Sequence, residues 1–310
     1  RGGPGMQPLR GITFKIASVC VFVAMAALIK AASDTVPPGQ AVFVRSLLAI
    51  PIIVAWLVSR GEWPGGLRTV HPLGHFWRGL IGTCSMGLFF ASLSLLPFPE
   101  VTAIGYAAPL LVVMLASMFL GERVRKVRLT AVALGLVGVL IILSPRLSVG
   151  AEMDPSETLG AVVALGAACC AALTQVFIRK LTATEGTAAI VFWFSVTASV
   201  LSLVTLWWGW VMPTASVALM LVLAGLLGGI GQILLTSSYR LAEASLIAPF
   251  EYTSMLLALL VGYFVFGEVP TPTVLIGAAI IIAAGVAIIW RERQLGIERT
   301  RQRKAMVPGG

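Results

Sequence analysis

The sequence predicts an all-α membrane protein with ten transmembrane helices, arranged as two inverted repeats of five helices each. Three observations lead to this fold class: long apolar stretches with short connections, a one-sided distribution of positive charge, and a similarity between the two halves of the chain. The composition agrees, because 58% of the 310 residues are hydrophobic and only 11% are charged. A soluble domain carries about 25% charged residues.

Transmembrane helices are predicted where about 20 mainly apolar residues follow one another, since that length crosses a hydrocarbon core of about 30 Å. Ten such stretches occur, and their short connections carry proline, glycine and aspartate, which favour turns. The predicted spans are 11–32, 38–58, 75–96, 99–120, 127–144, 156–180, 187–209, 214–239, 244–266 and 272–291.

The placement of positive charge predicts the orientation of these spans. A net charge of +9 would indicate nucleic-acid binding in a soluble protein, but here topology explains it and no nucleic-acid partner is expected. Eighteen Lys and Arg residues fall at the ends and loops of one side, whereas the loops of the other side hold only Arg146. Loops rich in Lys and Arg stay in the cytoplasm. Both termini are therefore predicted to be cytoplasmic, although the basic C-terminal tail would also suit a lipid surface.

The two halves of the chain resemble each other. A shift of 146 residues superimposes 104–122 on 250–268, and shifts of 147 and 149 residues superimpose further anchors. Each half holds five spans, an odd number, so the second half enters the membrane from the opposite side, as in the inverted repeats of many secondary transporters. The predicted repeats are 1–146 and 147–310. Matched pairs include Tyr106 with Tyr252, Gly121 with Gly267, Glu122 with Glu268, Gly82 with Gly229, Gly11 with Gly160, and Lys30 with Arg179.

A Gly-Glu pair closes the fourth span of each half, at residues 121–122 and 267–268. Glycine ends a helix at low cost in the left-handed conformation. A glutamate that follows it is favourable near the positive N-terminus of the next helix. We therefore predict a structural role for Glu122 and Glu268.

The sequence resembles the drug/metabolite transporter superfamily, in its ten-helix EamA-type branch. The motifs that carry this resemblance are "LGE" and "FGE" at the ends of the fourth spans, "APFEY" at 248–252, and Arg45 within "VFVRSLLA". Together they cover both halves of the chain. The resemblance implies a bacterial inner-membrane secondary transporter that exports small metabolites, with amino acids (aromatic or neutral) as the expected cargo. It also implies alternating access around a central cavity built from the first four helices of each half.

No Walker-type GxxxxGK[ST] motif occurs in the sequence, which agrees with transport that does not use ATP. Uptake or efflux of another small solute or drug by the same fold is the alternative function. A membrane-embedded lipid-modifying enzyme is a further alternative, and so is a scaffold or sensor that transports nothing. The enzyme is disfavoured because the spans hold no cluster of catalytic carboxylates, histidines or metal ligands.

Polar side chains inside apolar spans turn toward a cavity or toward each other, so they are the candidate residues for substrate binding or gating. Aromatic residues are added because they can line a cavity for planar solutes, although Trp77 also suits the interfacial belt. The candidates are Lys30, Arg45, Trp77, Ser85, Tyr106, Gln175, Trp193, Gln232, Glu251 and Tyr252.

Glu251 is the most unusual candidate, because a carboxylate in hydrocarbon costs roughly 2.5 kcal/mol or more. It lies about seven residues into span nine, roughly 10 Å deep, where Lys15 and Arg78 are the expected neighbours. Two interpretations have equal weight. Glu251 either binds a cationic amine or a coupling proton, or forms a fixed ion pair that holds the inner gate.

Arg45 and Lys30 form a counterpart in the outer half, with Glu100 as the expected partner. Arg45 either holds a substrate carboxylate or closes a gate, and the gate is slightly favoured. No cofactor or metal is expected, and the four cysteines are interpreted as small packing residues. Spans five and ten are almost free of polar residues, so they are predicted at the periphery, facing lipid or a second copy in a homodimer.

Overall fold

The computed structural model describes most of the chain. The described residues are 8–120, 126–147, 155–182, 184–241, 250–251, 253–284, 286–287, 290 and 294. Within these ranges the regular secondary structure is all helical. Tyr252, Glu122 and most of the basic tail lie outside the described residues, as do residues 244–249, with which span nine was predicted to begin.

Besides two 3-10 helices, Gly65–Leu67 and Leu203–Trp208, eleven α-helices are found in the described part of the chain. They are α1 Pro8–Ala32, α2 Pro38–Ser59, α3 Pro72–Leu95, α4 Phe98–Gly105, α5 Ala107–Leu120, α6 Lys126–Leu147, α7 Pro155–Leu181, α8 Thr187–Ser202, α9 Ala215–Leu241, α10 Thr253–Phe266 and α11 Pro272–Ala284.

Six helical segments of the described chain are long and apolar enough to cross a membrane: α1, α2, α3, α7, α8 with its 3-10 extension to Trp208, and α9. Four shorter apolar helical segments fall at the positions predicted for spans four, five, nine and ten. The protein is therefore a multi-pass membrane protein. Prolines open α2 and α3 at Pro38 and Pro72, because the first turn of a helix needs no proline N–H and favours its fixed φ.

The predicted span 99–120 is not one helix. It is divided at Tyr106 into α4 and α5. Pro109 has no N–H to donate to the Gly105 carbonyl four residues earlier, which removes one hydrogen bond of a continuous helix at this point. Two consecutive helices therefore occupy the position predicted for span four.

Gly267 ends α10 with a left-handed φ of +66°, as the sequence predicted for this corner. The next backbone amide, that of Glu268, donates to the Gly262 carbonyl at 2.8 Å, which satisfies one of the last carbonyls of the helix. The glycine at this position is required by the backbone, and it places Glu268 just beyond the end of α10.

The helices pack in pairs that join the two halves of the sequence. α1 packs along α9, α3 packs along α7, and α2 lies against both α8 and α9. Small residues bring these helices close together. A Cβ added to Gly225 of α9 would lie 2.6 Å from Leu48 Cβ of α2, and one added to Gly231 would lie 2.8 Å from the Phe22 ring of α1.

The two helices predicted at the periphery, α6 and α11, contact each other. A Cβ at Gly277 of α11 would lie 2.6 Å from the Gly138 carbonyl oxygen of α6. Gly135 of α6 faces Leu110 of α5. On its other side α6 exposes large apolar residues such as Leu140, which is 58% exposed.

Candidate functional site

Lys15 of α1 and Glu251, which lies just before α10, form an ion pair. Lys15 is 1% exposed, whereas the Glu251 side chain is 39% exposed. The Lys15 ammonium also lies 5.7 Å from the centroid of the Tyr239 ring. Of the two neighbours expected for Glu251, Lys15 is therefore in contact with it. The other, Arg78, stacks on Phe194 with its Cζ atom 3.7 Å from the ring centroid.

Tyr106 connects the break between α4 and α5 to the same region. Its hydroxyl lies 2.7 Å from Ser254 Oγ. Because the Ser254 hydroxyl donates to the Glu251 carbonyl at 2.7 Å, the phenol is the donor to Ser254. Tyr106 is 3% exposed, so this contact is inside the protein. We call Lys15, Glu251, Ser254 and Tyr106 the Lys15 junction.

A second ion pair joins α1 to the other end of α10. Lys30 Nζ lies 3.0 Å from Glu268 Oε1, and it also donates to the carbonyls of Leu93 at 3.1 Å and Leu96 at 2.9 Å. The Phe98 amide donates to Glu268 Oε2 at 2.7 Å. We call Lys30, Leu93, Leu96, Phe98 and Glu268 the Lys30 junction.

Glu268 thus has a structural partner, although a different one from that predicted. The sequence placed it near the N-terminus of the next helix, α11. In the structure it binds the first amide of α4, at Phe98, where the positive end of that helix favours a carboxylate. Lys30 Nζ also lies 5.5 Å from the centroid of the Phe266 ring, which packs against Phe98.

The two junctions lie far apart along α1. Lys15 and Lys30 are separated by fifteen residues, which is about 22 Å of helix. Glu251 precedes α10 and Glu268 follows it. α10 is therefore bound to α1 near both of its ends, and the two ion pairs lie at different depths of the span.

Arg45 is 1% exposed and lies in α2 away from the Lys30 junction. Its Nη2 donates to the Gly228 carbonyl of α9 at 3.3 Å, and its Cζ lies 5.8 Å from the Phe194 ring centroid. The structure therefore places Arg45 and Lys30, which the sequence treated as one group, in separate sets of contacts.

Two other candidates make contacts that hold helices in place. Ser85 of α3 donates to the Ala167 carbonyl of α7 at 3.0 Å. The Trp193 indole of α8 donates to the Leu67 carbonyl, in the loop after α2, at 3.0 Å.

Three further candidates are not brought into either junction. Trp77 is 45% exposed and packs edge-on against Phe76. Gln175 and Gln232 are half-buried. Gln232 Oε1 is buried without a hydrogen-bond partner in the part of the chain that the structure describes.

Glu185, between α7 and α8, is a buried residue that the sequence reasoning missed. Its Oε1 accepts hydrogen bonds from the amides of Val70 and His71, both at 2.8 Å, and from the Thr69 hydroxyl at 2.9 Å. Burial alone would raise the pKa of Glu185, but these hydrogen bonds outweigh burial and hold the pKa below its ordinary value of 4.5. The signal in the sequence was a glutamate that is the only charged residue of the loop 181–186.

Glu185 also lies close to side chains of α3 and α9. Arg240, at the end of α9, donates to the Glu185 carbonyl at 2.9 Å, and His75 Nε2 lies 3.6 Å from Glu185 Oε2. The residue therefore connects the loop before α3 to the loop before α8 and to the end of α9.

Phe194, which contacts Arg45 and Arg78, and Ser254, which contacts Tyr106, are two further residues that the sequence did not indicate. The direction in which each side chain faces depends on the rotation of its helix, and a uniformly apolar stretch does not indicate that rotation. In the ranges that the structure describes, His, Cys, Asp and Glu side chains do not gather in groups of three or more that could hold a metal ion.

Comparison with known proteins places the chain among membrane transporters. It is 28% identical over 279 residues to a pseudopaline exporter from Pseudomonas aeruginosa, covering 90% of this chain and 95% of the relative. It is 28% identical over 255 residues to an S-adenosylmethionine uptake transporter from Rickettsia bellii, covering 82% and 84%. The relatives are thus named as transporters rather than enzymes.

A solved crystal structure shares the fold with a TM-score of 0.67 at 22% identity, and the match covers 91% of this chain and 97% of the other. The EamA-like transporter family model matches the chain twice, at residues 9–144 and 158–291. The chain belongs to the EamA-like transporter family.

Proposed function

We propose that this protein is a secondary transporter, which moves a small metabolite across the bacterial inner membrane by alternating access. The observation that carries the mechanism is the pair of ion-pair junctions between α1 and α10. The Lys15 junction and the Lys30 junction lie about 22 Å apart along α1, so they act as gates for opposite sides of the membrane. Each ion pair breaks in turn while the other stays closed.

The packing of the helices supports an inverted repeat of residues 1–146 and 147–310. If the first five predicted spans are exchanged with the last five, the α1–α9 contact becomes the α7–α3 contact, which also occurs. The α2–α9 contact likewise becomes the α8–α3 contact, and this contact occurs too. The family model matches the chain once in each half, which also supports two repeats.

The orientation in this proposal has both termini in the cytoplasm, because the positive charge is so unequally distributed. The Lys15 junction is then near the cytoplasmic side and the Lys30 junction near the outer side. The partial exposure of Glu251 gives a coupling proton or a cationic amine a route to this carboxylate. Neutralising Glu251 would weaken its pairing with Lys15 and so favour opening of the inner gate.

The proposed cargo is an amino acid or a related metabolite that moves outward, as the family resemblance implies. The names of the relatives include one exporter and one uptake transporter, so they support the transport of metabolites and leave its direction to experiment.

The exposed faces of α6 and α11 meet lipid or a second copy in this proposal. α6 presents Leu134, Val137 and Leu140, which are 50%, 48% and 58% exposed. The mass of the detergent-solubilised protein distinguishes a monomer from a homodimer.

Reconstitution into liposomes tests the proposed function. Purified protein is inserted, and the flux of labelled amino acids, nucleosides and cationic drugs is measured with a solute gradient and then with a pH gradient. We expect saturable flux of at least one amino acid, compared with protein-free liposomes. Saturable flux of another solute only would remove the amino-acid assignment. If no solute moves and lipid in the same liposomes is chemically altered, the enzyme alternative is correct.

A further inference from the structure

Two arginines are buried beside one aromatic ring. Arg45 of α2 is 1% exposed and Arg78 of α3 is 2% exposed. Their Cζ atoms lie 5.8 Å and 3.7 Å from the centroid of the Phe194 ring of α8. Four helices contribute to this cluster, because Gly228 of α9 accepts a hydrogen bond from Arg45.

The guanidinium groups have donors without acceptors. Nε and Nη1 of Arg45, and Nε and Nη1 of Arg78, are buried and have no hydrogen-bond partner in the part of the chain that the structure describes. No carboxylate in these ranges forms an ion pair with either arginine. The Phe194 ring attracts the cations through its face, but it does not satisfy their N–H groups. Buried charges in proteins are normally paired, so two like charges together without a counter-ion need an explanation.

The backbone leaves room for the two side chains. A Cβ added to Gly228 would lie 2.5 Å from Arg45 Nε, so glycine is needed for Arg45 to lie where it does. A Cβ added to Gly82 of α3 would lie 2.9 Å from the Phe194 ring and 3.5 Å from Arg78 Nη1. Glycines of α3 and α9 therefore make the space in which the arginines and the ring meet.

The arginines approach the ring from opposite ends of the bundle. Arg45 lies seven residues, about 10 Å, from the start of α2, and Arg78 lies six residues, about 9 Å, from the start of α3. Consecutive spans start on opposite sides of the membrane, so the cluster lies toward its middle. This is the depth at which secondary transporters bind substrate, between their two repeats.

We propose that Arg45, Arg78 and Phe194 form a binding site for an oxyanion, the carboxylate or phosphate group of the transported solute. The proposal rests on the proposed function and names the substrate class for it. A guanidinium group offers a planar fork of N–H donors that binds a carboxylate or a phosphate through two parallel hydrogen bonds. Two arginines favour a solute with one or two such groups, and the Phe194 ring holds the guanidinium groups in place.

Thermal unfolding of the purified full-length protein in detergent tests this site without any transport. The probes are succinate, inorganic phosphate and the diamine putrescine, each exchanged against sodium chloride at constant ionic strength. Phosphate and similar anions stabilise many proteins without binding to a site, so the measured quantity is the difference between the protein and its variants. We expect the Tm to rise with succinate or phosphate, and putrescine to have no effect. The anion that acts distinguishes a carboxylate site from a phosphate site.

The variants Arg45→Met and Arg78→Met decide whether the arginines form the site. Both should lose the response to the anion. Their own Tm should stay the same or rise, because a buried charge that has no partner in the empty protein is removed. Arg60→Met is the matched control, since Arg60 is 54% exposed, and it should keep the full response.

Conservative variants cover the case in which a methionine variant cannot be purified for a Tm measurement. Arg45→Lys and Arg78→Lys keep the charge but lose the fork, and should weaken the apparent affinity for the active anion about tenfold. The proposal is overturned if the protein responds to neither anion, or if both lysine variants respond as the unchanged protein does. It is also overturned if the methionine variants unfold at a much lower Tm, which would indicate a fixed partner elsewhere in the chain. An anion response with no flux of any solute would contradict only the proposed function.

Discussion

Lys30 near the end of α1 and Glu268 just after α10 form an ion pair of 3.0 Å, and the same glutamate caps the N-terminus of α4. The side chains are only 13% and 19% exposed. One carboxylate therefore connects the ends of three helices, while the lysine also binds the last carbonyls of α3. In the proposed mechanism this junction must open for solute to pass on one side of the membrane.

Removal of the Lys30 charge should destabilise the protein. Lys30→Met leaves Glu268 partly buried without its cation, which we expect to cost about 2–3 kcal/mol and to lower the Tm in detergent. Glu268→Gln should cost less, because the amide oxygen still accepts from Phe98. Arg60→Met is the control: it breaks an ion pair whose side chains are 54% and 43% exposed, and should cost no more than about 0.5 kcal/mol. Equal losses of stability in Lys30→Met and Arg60→Met would show that the Lys30 junction does not stabilise the protein.

Glu251→Gln should also destabilise the protein, because Lys15 is fully buried and would lose its partner. We expect a loss of about 3 kcal/mol, recovered in large part by the double variant Lys15→Met/Glu251→Gln, which leaves no buried charge at the Lys15 junction. If Glu251 carries the coupling proton, the pH dependence of flux should become flat in the single variant. A single variant with unchanged Tm and an unchanged pH profile would remove Glu251 from the mechanism.

The stability of the protein should fall in acid because of Glu185. The pKa of Glu185 is lower in the folded protein than its ordinary value of 4.5, so the deprotonated carboxylate stabilises the fold. This contribution is fully present above pH 4.5 and is lost as the pH falls below that value, through the folded pKa. Glu185→Gln should therefore lower the Tm at pH 7 and reduce its fall between pH 5 and pH 3. Glu62→Gln, at an exposed residue, should leave the acid profile unchanged; a Glu185→Gln profile identical to it would contradict the account.

Labelling of single cysteines in intact cells checks the orientation. With the four native cysteines replaced, an impermeant thiol reagent should react with Ser156→Cys, in the first turn of α7, and not with Arg125→Cys, before α6. The expectation follows from the charge asymmetry of the loops. External labelling of position 125 would overturn the count of ten spans and the placement of both junctions.

Most of the helix positions and part of the candidate site could be predicted from the sequence. Span two was predicted at 38–58 and is found at Pro38–Ser59, because a proline at the first turn and a polar last turn mark both ends. The depth of Glu251 was sufficient to propose Lys15 as its neighbour, since residues at equal depth in adjacent spans can meet. The glycine at 267 likewise predicted the left-handed end of α10.

Other contacts could not be predicted because they depend on how the helices rotate and cross. Glu268 binds α4 rather than the helix that follows it, which only the packing of α10 against α4 decides. Arg45 and Arg78 meet at Phe194 from three different helices, and the sequence alone does not set the direction in which each helix faces. Pro109 in the sequence is consistent with the break at Tyr106, but the apolar run on both sides of it indicated one span.

Cross-linking of the Lys30 junction in liposomes tests alternating access most directly. Lys30→Cys and Glu268→Cys are introduced together after the native cysteines are replaced, and a short thiol-reactive cross-linker joins them. Flux of a solute that the unlinked double variant transports is measured before linking, after linking and after cleavage of the linker. If this junction is a gate, linking should stop the flux and cleavage should restore it, whereas the same cross-linker on Arg60→Cys/Glu62→Cys should have no effect. Undiminished flux through the linked protein would contradict the claim that α1 and α10 separate here during transport.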